Sequence, residues 1–416
     1  MKTPEKRVAM NTTMLMIFHV AKIVFPFATL PYLTRVLSTD TYGIVAYVKT
    51  TMTYLQVLVD FGFVLSATKD IVKVRDDKDK IGLVVGDTLI ARGILGIIGF
   101  IVTLILSFTL PILRENMLYT LLSYSVVFIS IFLMDFLFRG IERMQVITIR
   151  FIIMKLISTL LTFILIKNDS NLLLIPVLDL TSSLIAITWV FHEVKKLNLS
   201  VQFSRLSKAL KSIKESFVYF LSDVASTSFN AFSTIIVGLC LTKTDVAYWG
   251  VCMQIIGTIQ ACYTPLSGGV YPEMIRSKNI RFIHKILKIF MPIVTVGCLF
   301  ILIFANLGLN IIGGQEYSQA TIVLQLLTPC LFFGFLAIMY GWPTLGAVDK
   351  NKEVTISTII SVTINISLLI LLAITNNFTL ISIAIVRSLS EIILFATRFT
   401  AYRINKKLFN NERISK

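Results

Sequence analysis

Two lysines stand inside hydrophobic stretches, where a charged side chain is costly. Lys22 and Lys49 lie in consecutive apolar runs, and neither has an acidic residue close to it in the sequence. A charge at the membrane centre costs about 2.5–3.5 kcal/mol on insertion scales, so such a group usually faces an aqueous cavity or a partner. Two ammonium groups without carboxylates would repel each other in a dry interior. The two lysines therefore predict a wet cavity that binds an anionic substrate.

Four further ionisable residues are candidates for roles in the same cavity. Arg92 would add a cation, and Arg35, at the end of the first apolar run, is either an interfacial anchor or a contact at the cavity rim. Asp60 and Asp223 are candidates for ion coupling or gating, because carboxylates within spans serve in proton relays. For Asp223, as for Asp87, helix capping is the structural alternative, since both lie near predicted span ends.

Other intramembrane charges have structural explanations in their spacing. Arg387 and Glu391 are four residues apart, which is the spacing of an ion pair on one helix face. Asp135 has Arg139 at the same distance along the chain, and Lys155 could snorkel or pair with a neighbour. We do not assign these residues to the substrate.

The stretch FPFATLPYLTRV places two prolines in the first apolar run. Pro26 and Pro31 each remove a backbone hydrogen bond and favour a kink. Interrupted backbone at membrane depth is tolerated where it lines a cavity or packs in protein. We therefore predict a bent first helix beside Lys22, whose movement would serve gating in a carrier.

The elements that position these groups are transmembrane helices. Of 416 residues, 56% are hydrophobic and 15% are charged, whereas soluble domains carry about 25% charged residues. A span needs roughly 20 apolar residues, which predicts an all-α integral membrane protein with about twelve helices. The predicted spans are 11–36, 42–66, 81–108, 117–138, 146–166, 171–191, 217–241, 246–272, 286–312, 320–340, 355–374 and 379–402.

The loops between these spans divide by charge. Loops on one side, together with both termini, hold most of the Lys and Arg, whereas the opposite loops hold only Arg114, Lys167 and Lys243. The positive-inside rule therefore places both termini in the cytoplasm. The same bias accounts for the net charge of +16, so no nucleic-acid partner is needed to explain it.

The longest cytoplasmic loop divides the predicted spans into two equal sets. Its basic residues, with apolar residues at helical spacing from Phe203 to Ile213, predict an amphipathic linker on the membrane surface. We expect an N-terminal six-helix unit at 1–195, the linker at 196–216 and a C-terminal six-helix unit at 217–416. LSTDTYG after the first span and LTKTDVAYWG after the seventh form a short internal repeat, a feature of many secondary transporters.

Motifs for catalysis and for cofactor binding are missing from the sequence. It has no GxxxxGK[ST] phosphate-binding loop and no GxSxG nucleophile motif, and its three histidines are far apart. The external loops are too short to build an active site. We expect transport without ATP hydrolysis by this chain, with no enzyme activity, metal or bound cofactor.

Three stretches of the first 150 residues resemble one family. LPYLTRVLSTDTYGIVAY, VDFGFVLSATKDI and LFRGIERM are similar to the Wzx family of O-antigen flippases. This family belongs to the polysaccharide-transport branch of the MOP (multidrug/oligosaccharidyl-lipid/polysaccharide) exporter superfamily. Chain length, span number and the two halves fit it throughout. The resemblance implies two six-helix bundles around a central cavity, as in MATE transporters.

The resemblance also implies a function. Wzx proteins move an undecaprenyl-pyrophosphate-linked oligosaccharide repeat unit from the cytoplasmic to the periplasmic leaflet of the bacterial inner membrane. In related flippases, cations on the first two helices contact the pyrophosphate; here that role falls on Lys22 and Lys49, with Arg92 in addition. A proton or sodium gradient is the implied energy source. A polymerase and a chain-length regulator are implied partners.

Three other functions compete with this one. A MATE-like small-molecule or multidrug exporter would favour an acidic cavity for cationic compounds, which Lys22 and Lys49 oppose. A polysaccharide polymerase or ligase would need a long external loop with clustered Arg or His, and the chain has none. A non-transporting scaffold would show both lysines buried against carboxylates.

Overall fold

The chain is helical throughout the part that the structure describes. The computed structural model describes residues 4–204 and 206–409, with side chains except at 4–9, 222, 225, 226 and 228–230. These residues form sixteen α-helices joined by turns and short 3-10 or π segments, with no β-sheet among them. The all-α fold predicted from the sequence is confirmed.

The helices are numbered here in chain order. The first nine are α1 (Pro4–Val36), α2 (Thr39–Asp60), α3 (Phe63–Lys73), α4 (Lys78–Thr109), α5 (Pro111–Glu115), α6 (Met117–Ile129), α7 (Asp135–Gly140), α8 (Met144–Leu165) and α9 (Leu174–Lys196). The later ones are α10 (Leu206–Cys240), α11 (Lys243–Ala261), α12 (Tyr263–Ser277), α13 (Ile280–Gly313), α14 (Thr321–Tyr340), α15 (Asn351–Ile374) and α16 (Leu380–Ile404).

Most of these helices are membrane spans by length and composition. Among the described residues, nine helical segments are long and apolar enough to cross a bilayer. They are Met10–Val36, Lys78–Thr109, Met117–Gly140, Met144–Leu165, Asp169–Lys196, Ile280–Gly313, Gln315–Val348, Asn351–Ile374 and Leu380–Ile404. The other three predicted spans correspond to α2, α10 and the pair α11–α12, which are helical but more polar. The chain is a multi-pass membrane protein.

Side-chain caps explain where several helices begin. Ser38 caps α2 and Asp77 caps α4 by accepting hydrogen bonds from backbone amides in the first turn. Thr242 and Asp245 form a capping box at the start of α11. Such caps satisfy amides that have no partner within the helix. The two copies of the internal repeat therefore have the same structural role: each is a turn whose side chain caps the start of a helix.

The chain divides into two compact units, Met1–Thr227 and Ser228–Lys416. In the first unit, α1 packs along α8, and α3 packs against α7. The buried core of this unit includes Phe63, Ile71 and Phe138. The boundary between the units falls within the residues of α10.

The second unit is organised around α14, which packs against α11, α13 and α16. Aromatic rings of α14 and α16 meet at one end of this contact: the ring centroids of Tyr340 and Phe399 are 5.2 Å apart, as are those of Tyr340 and Tyr402. Edge-to-face aromatic pairs add about 0.5–1.5 kcal/mol each beyond their buried area. This helix pair forms the rigid centre of the unit.

The two prolines of the first span lie within an unbroken helix. α1 runs from Pro4 to Val36 through Pro26 and Pro31. Its turns are held along α8, where the Tyr32 hydroxyl donates to the Phe163 carbonyl oxygen at 2.8 Å. Tertiary packing therefore maintains helix across both positions, and the predicted bend remains a prediction.

Two other predicted spans are interrupted where no proline occurs. The span predicted at 42–66 ends as helix at Asp60, because Phe61 and Gly62 are left-handed with φ of 43° and 75°. The span predicted at 117–138 becomes a 3-10 turn at Ser130–Leu133, and Met134 has φ of 49°. Both breaks lie in the first unit, and both contribute to the site described below.

The predicted linker also differs from the structure. Residues 197–204 are irregular, and the helix that follows is α10 itself, which continues to Cys240. The Gln202 amide donates to the Gly82 carbonyl oxygen at 3.2 Å, and the Ser204 hydroxyl donates to Asp87. The irregular segment is therefore fastened to α4. Asp87 lies inside α4 rather than at its end, so the capping role considered for it is wrong.

Candidate functional site

A charged cavity of about 280 Å³ lies within the N-terminal unit. Pockets for small ligands usually measure about 300–1,000 Å³, so this cavity has the size of a small charged group. Five ionisable side chains line it, from five different helices: Lys22, Asp60, Arg92, Asp135 and Arg150. Three of them were predicted to be functional, and the structure places these three together.

The first helix break positions Asp60 and Arg92. Asp60 is the last residue of α2, where the left-handed Phe61 ends the helix. Arg92, on α4, donates from Nη2 to Asp60 Oδ1 at 2.5 Å, from Nε to the Val59 carbonyl oxygen at 3.4 Å, and from Nη1 to the Ile131 carbonyl oxygen at 3.2 Å. The guanidinium thus joins the end of α2 to the broken segment after α6.

The second break positions Asp135 and Arg150. Arg150, on α8, donates from Nη1 to the Leu133 carbonyl oxygen at 2.8 Å and from Nη2 to Asp135 Oδ1 at 2.7 Å. Irregular backbone at membrane depth must find partners for its polar groups. Two arginines provide them here, because Ile131 and Leu133 belong to the 3-10 turn whose carbonyl groups have left the helical ladder.

Lys22 differs from the two arginines. Its side chain is exposed to the cavity, and its Nζ lies 4.7 Å from the centroid of the Phe18 ring. Phe18 in turn contacts Phe151 edge-to-face, with centroids 4.9 Å apart. In the described part of the chain, Lys22 forms no ion pair within 4.0 Å. It is therefore the cation that an anion in the cavity could reach directly.

The arginines and their carboxylates are unequally exposed. The Arg92 and Arg150 side chains are 6% and 2% exposed, whereas Asp60 and Asp135 are each 29% exposed. The cavity surface therefore presents the two carboxylates and Lys22, with the guanidinium groups behind. The lining has three cations and two carboxylates, which leaves one surplus positive charge.

Lys49 lies outside this cavity. It is exposed, does not line the space around Lys22, and stands within electrostatic range of Lys155 and Asp179. Those two residues form an ion pair at 2.9 Å, with the Ser158 hydroxyl donating to the same carboxylate oxygen at 2.8 Å. In this structure Lys22 and Lys49 belong to separate charged clusters, and a shared role in binding an anion remains a prediction. Neither is buried against a carboxylate, as the scaffold alternative required.

The other predicted site residues do not line the cavity. Arg35 is exposed in the last turn of α1, thirteen residues after Lys22, which is about 20 Å along a helix. Asp223 lies inside α10, within electrostatic range of Asp60, so a capping role for it is excluded. Pro26 and Pro31 follow Lys22 on α1. Their roles in binding and gating remain predictions.

The C-terminal unit contains its own buried charges. Arg387 and Glu391 form the ion pair predicted from their spacing, at 3.3 Å, with side chains 1% and 5% exposed. Gln260 donates to the same Glu391 oxygen at 3.0 Å and to the Cys330 carbonyl oxygen at 2.9 Å. Arg398, also buried, donates to the Ala337 carbonyl oxygen at 2.7 Å. This cluster joins α11, α14 and α16.

Sequence reasoning missed Arg150 and misassigned Asp135. Arg150 stands in the apolar run VITIRFIIM, where its charge was a usable signal. Asp135 and Arg139 lie four residues apart in the same helix, α7, as the predicted pairing required. The Asp135 carboxylate nevertheless accepts from Arg150 of α8.

Known proteins resemble this chain along most of its length. Residues 8–278, more than half of the chain, match the family described as "Polysaccharide biosynthesis protein". An Escherichia coli (strain K12) protein named "Putative O-antigen transporter" is 26% identical over 420 residues, which cover 98% of this chain and 100% of that protein. A Shigella dysenteriae protein of the same name is 25% identical over 323 residues, covering 76% and 80%.

Two solved structures share the fold. One is an inward-facing multidrug resistance MATE transporter of the MOP superfamily, with a TM-score of 0.71, 15% identity and coverage of 92% of this chain and 95% of that one. The other is the lipid II flippase MurJ in an inward closed conformation, with a TM-score of 0.71, 12% identity and coverage of 95% and 87%. At these identities the likeness concerns the fold alone. The chain belongs to the polysaccharide biosynthesis protein family and has the fold of MOP-superfamily transporters.

Proposed function

We propose that this protein is a flippase for lipid-linked oligosaccharides. The observation that carries the proposal is the cavity with Lys22 exposed and with two arginines behind carboxylates in one helical unit. A cationic cavity within a membrane span suits the charged group of an amphiphile that must cross the hydrocarbon. The names of the two relatives, both O-antigen transporters, point to the same class of substrate.

The substrate we propose is an undecaprenyl-pyrophosphate-linked oligosaccharide repeat unit. Its diphosphate carries two negative charges, which match a cavity with a surplus cation better than a neutral glycan would. The cavity volume of about 280 Å³ suits the diphosphate and excludes a whole oligosaccharide. The glycan and the lipid chain would therefore lie outside it. A lysine holds a phosphate as a point charge, which suits a ligand that must leave again.

Transport is a better explanation than catalysis or drug export. The relatives are named as transporters, which supports a protein that is not an enzyme. The MATE fold alone would also fit a multidrug exporter. Cationic drugs, however, would meet a cavity that already has surplus positive charge, so the lining favours an anionic substrate.

The setting of this function is also a proposal. We infer that the protein lies in the bacterial inner membrane with both termini in the cytoplasm, since loop charge follows the positive-inside rule. It would move its substrate from the cytoplasmic to the periplasmic leaflet by alternating access. A proton or sodium gradient would supply the energy, with Asp60 or Asp223 as coupling groups. A polymerase and a chain-length regulator of the same pathway would act on the product.

Complementation tests the proposal most directly. A strain that lacks its own O-antigen flippase would receive the wild type, Lys22→Gln or the control Lys352→Gln, all at matched expression. Lys352 is an exposed lysine of α15, outside both charged clusters. We expect surface polysaccharide with the wild type and the control, and its loss with Lys22→Gln.

Two results would contradict the proposal. Failure of the wild type with a panel of different repeat units would remove the flippase assignment. Normal surface polysaccharide with Lys22→Gln would show that the cavity does not hold the charged part of the substrate. Lys22→Gln is informative because Lys22 makes no ion pair among the described residues, so the substitution leaves no carboxylate stranded.

A further inference from the structure

We propose that Arg150 is a second ligand of the diphosphate, and that Asp135 occupies Arg150 until the substrate arrives. This inference rests on the proposed function and extends it to a residue pair for which sequence reasoning gave no role. Arg150 would bind one phosphate by the same face that now binds Asp135. Lys22 and Arg92 would bind the other.

The geometry of Arg150 prepares it for this exchange. Its Nη1 is held by the Leu133 carbonyl oxygen at 2.8 Å, so the guanidinium stays in place when its other partner changes. Its Nη2 contacts Asp135, which is on the cavity side of the pair. The Nε atom of Arg150 is buried and has no hydrogen-bond partner among the described residues. An incoming phosphate oxygen would supply another charged acceptor for the Nη2 group.

The Arg92–Asp60 pair shows the same arrangement in the same cavity. There too a nearly buried guanidinium is anchored to backbone carbonyl groups, Val59 and Ile131, and is covered by a more exposed carboxylate. Two such pairs in one cavity provide two guanidinium groups for the two phosphates. An ion pair that only stabilises the fold has no need to line a cavity. Nor does it need its carboxylate to be more exposed than its arginine, as both pairs here have it.

Charge balance supports the exchange. The empty cavity has three cations and two carboxylates, a net charge of one positive. When the dianionic diphosphate is bound, the filled cavity carries one net negative charge, and the two carboxylates repel the phosphates. Removal of the Asp135 charge should therefore raise the affinity for the substrate.

Several charged groups surround Asp135 and enter this balance. Arg150 approaches from α8, and Lys22, on α1, lies within electrostatic range. Arg139, on α7 itself, lies within electrostatic range of Lys22 and His19, and Asp60 is within range of Lys22. Arg92 lines the same cavity from α4.

The test measures binding by the full-length protein in lipid nanodiscs. The probe is undecaprenyl diphosphate-linked N-acetylglucosamine. Its diphosphate is a diester, which carries two negative charges at pH 7.5. Its Kd would be measured at pH 7.5 for the wild type, Arg150→Gln, Asp135→Asn and the control Lys352→Gln. We expect about ten-fold weaker binding for Arg150→Gln, since hydrogen bonds to charged groups are the strong ones.

The opposite change is expected for Asp135→Asn. The amide still accepts the Arg150 hydrogen bond but no longer repels the phosphate, so binding should become several-fold tighter. Weaker or unchanged binding by Asp135→Asn would overturn the proposal, because a carboxylate that competes with the phosphate for Arg150 must raise the affinity when its charge is removed.

Folding and the wider proposal are controlled separately. Arg150→Lys keeps the charge, so a folded protein with partial binding supports a ligand role even if Arg150→Gln fails to fold. Lys22→Gln reports on the proposed function itself. If Lys22→Gln weakens binding and the Arg150 and Asp135 variants do not change it, the inference about Arg150 is wrong. The proposed flippase function would still stand. If no variant changes binding, the cavity is not the diphosphate site.

Discussion

The two units of the protein both contain buried arginine–carboxylate pairs, and they arrange them in opposite ways. In the N-terminal unit, the carboxylates of the Arg92 and Arg150 pairs are 29% exposed and face a cavity. In the C-terminal unit, Arg387 and Glu391 are at most 5% exposed, and Gln260 closes the pair from α11. Charge inside a membrane protein therefore has two uses here, and exposure of the carboxylate distinguishes them.

The difference follows from the backbone at each place. α16 is an unbroken helix, so its pair is formed between successive turns and packs against α14. The N-terminal pairs are formed between different helices, beside breaks at Phe61–Gly62 and Ser130–Met134 that open a space. We infer that the C-terminal cluster holds helices together and that the N-terminal cluster binds.

The largest effect should come from breaking the closed pair. Glu391→Leu leaves Arg387 buried without its carboxylate and removes one of the two acceptors of Gln260. The loss of one partner from a buried pair costs about 3–5 kcal/mol of the free energy of unfolding. Reversible unfolding of the purified protein in detergent would measure it.

A double variant tests the reason for that loss. Arg387→Met with Glu391→Leu removes both charges, and an apolar replacement of a buried pair is often neutral. We expect the double variant to recover most of the stability lost by Glu391→Leu. If the double variant is as unstable as the single one, an unpaired buried charge is not the cause of the loss. The conclusion that the C-terminal pair only holds helices together would then be wrong.

The second effect concerns transport rather than stability. Lys22→Gln should reduce flipping of the lipid-linked probe by about ten- to a hundred-fold, which corresponds to about 1.4–2.8 kcal/mol of lost binding. Its stability should change by less than about 1 kcal/mol, because only the contact with the Phe18 ring is lost. Flipping and unfolding would be measured on the same preparation.

Phe18→Leu is the matched control for Lys22→Gln. It removes the ring beneath the ammonium group and keeps the charge, so most of the flipping should remain. If Phe18→Leu abolishes flipping while Lys22→Gln does not, flipping depends on the packing of α1 and not on the charge of Lys22.

A third effect shows that the N-terminal unit is also tightly packed, away from its cavity. A Cβ at Gly82 would collide with the Ser200 carbonyl oxygen, where the irregular segment crosses α4, whereas a Cβ at Gly93 on the same helix meets nothing within 4 Å. Overpacking typically costs about 1–3 kcal/mol, so Gly82→Ala should destabilise the protein. Gly93→Ala should stabilise it by up to about 1 kcal/mol, since alanine favours helix.

Thermal unfolding in detergent would compare the two alanine variants directly. We expect Gly82→Ala to lower the unfolding temperature and Gly93→Ala to raise it. Because both are glycine-to-alanine changes on α4, the difference reports packing rather than helix propensity. Equal effects from both would show that the segment at 197–204 is not held against α4 in solution.

The sequence predicted the helical fold and the Arg387–Glu391 pair because both depend on local regularities. Long apolar runs make spans, and residues four apart on a continuous helix meet. It also identified Lys22, Asp60 and Arg92 as unusual charges, and the cavity contains all three.

The break after α6 was beyond sequence reasoning. The turn SIFLM has no glycine or proline, and Met134 adopts its left-handed conformation because the surrounding packing and Arg150 hold it. The sequence also could not show that Asp135 accepts from Arg150 of α8 rather than from Arg139, which is four residues away on the same helix. Conversely, the prolines of α1 predicted interruption, but contacts with α8 maintain the helix. In both places the local sequence did not predict the observed backbone, because hydrogen bonds with the neighbouring helix α8 stabilise that conformation.

The smallest effect should come from Lys49→Gln. Lys49 does not line the cavity of Lys22, and the Lys155–Asp179 pair beside it stays intact when its charge is removed. We therefore expect flipping of the same probe to fall only a few-fold, less than the ten-fold loss that about 1.4 kcal/mol represents. A loss as large as that of Lys22→Gln would show that both clusters of the N-terminal unit hold the diphosphate during flipping. The contrast between the units would then stand, but the binding region would extend from the cavity to the second cluster on α8 and α9.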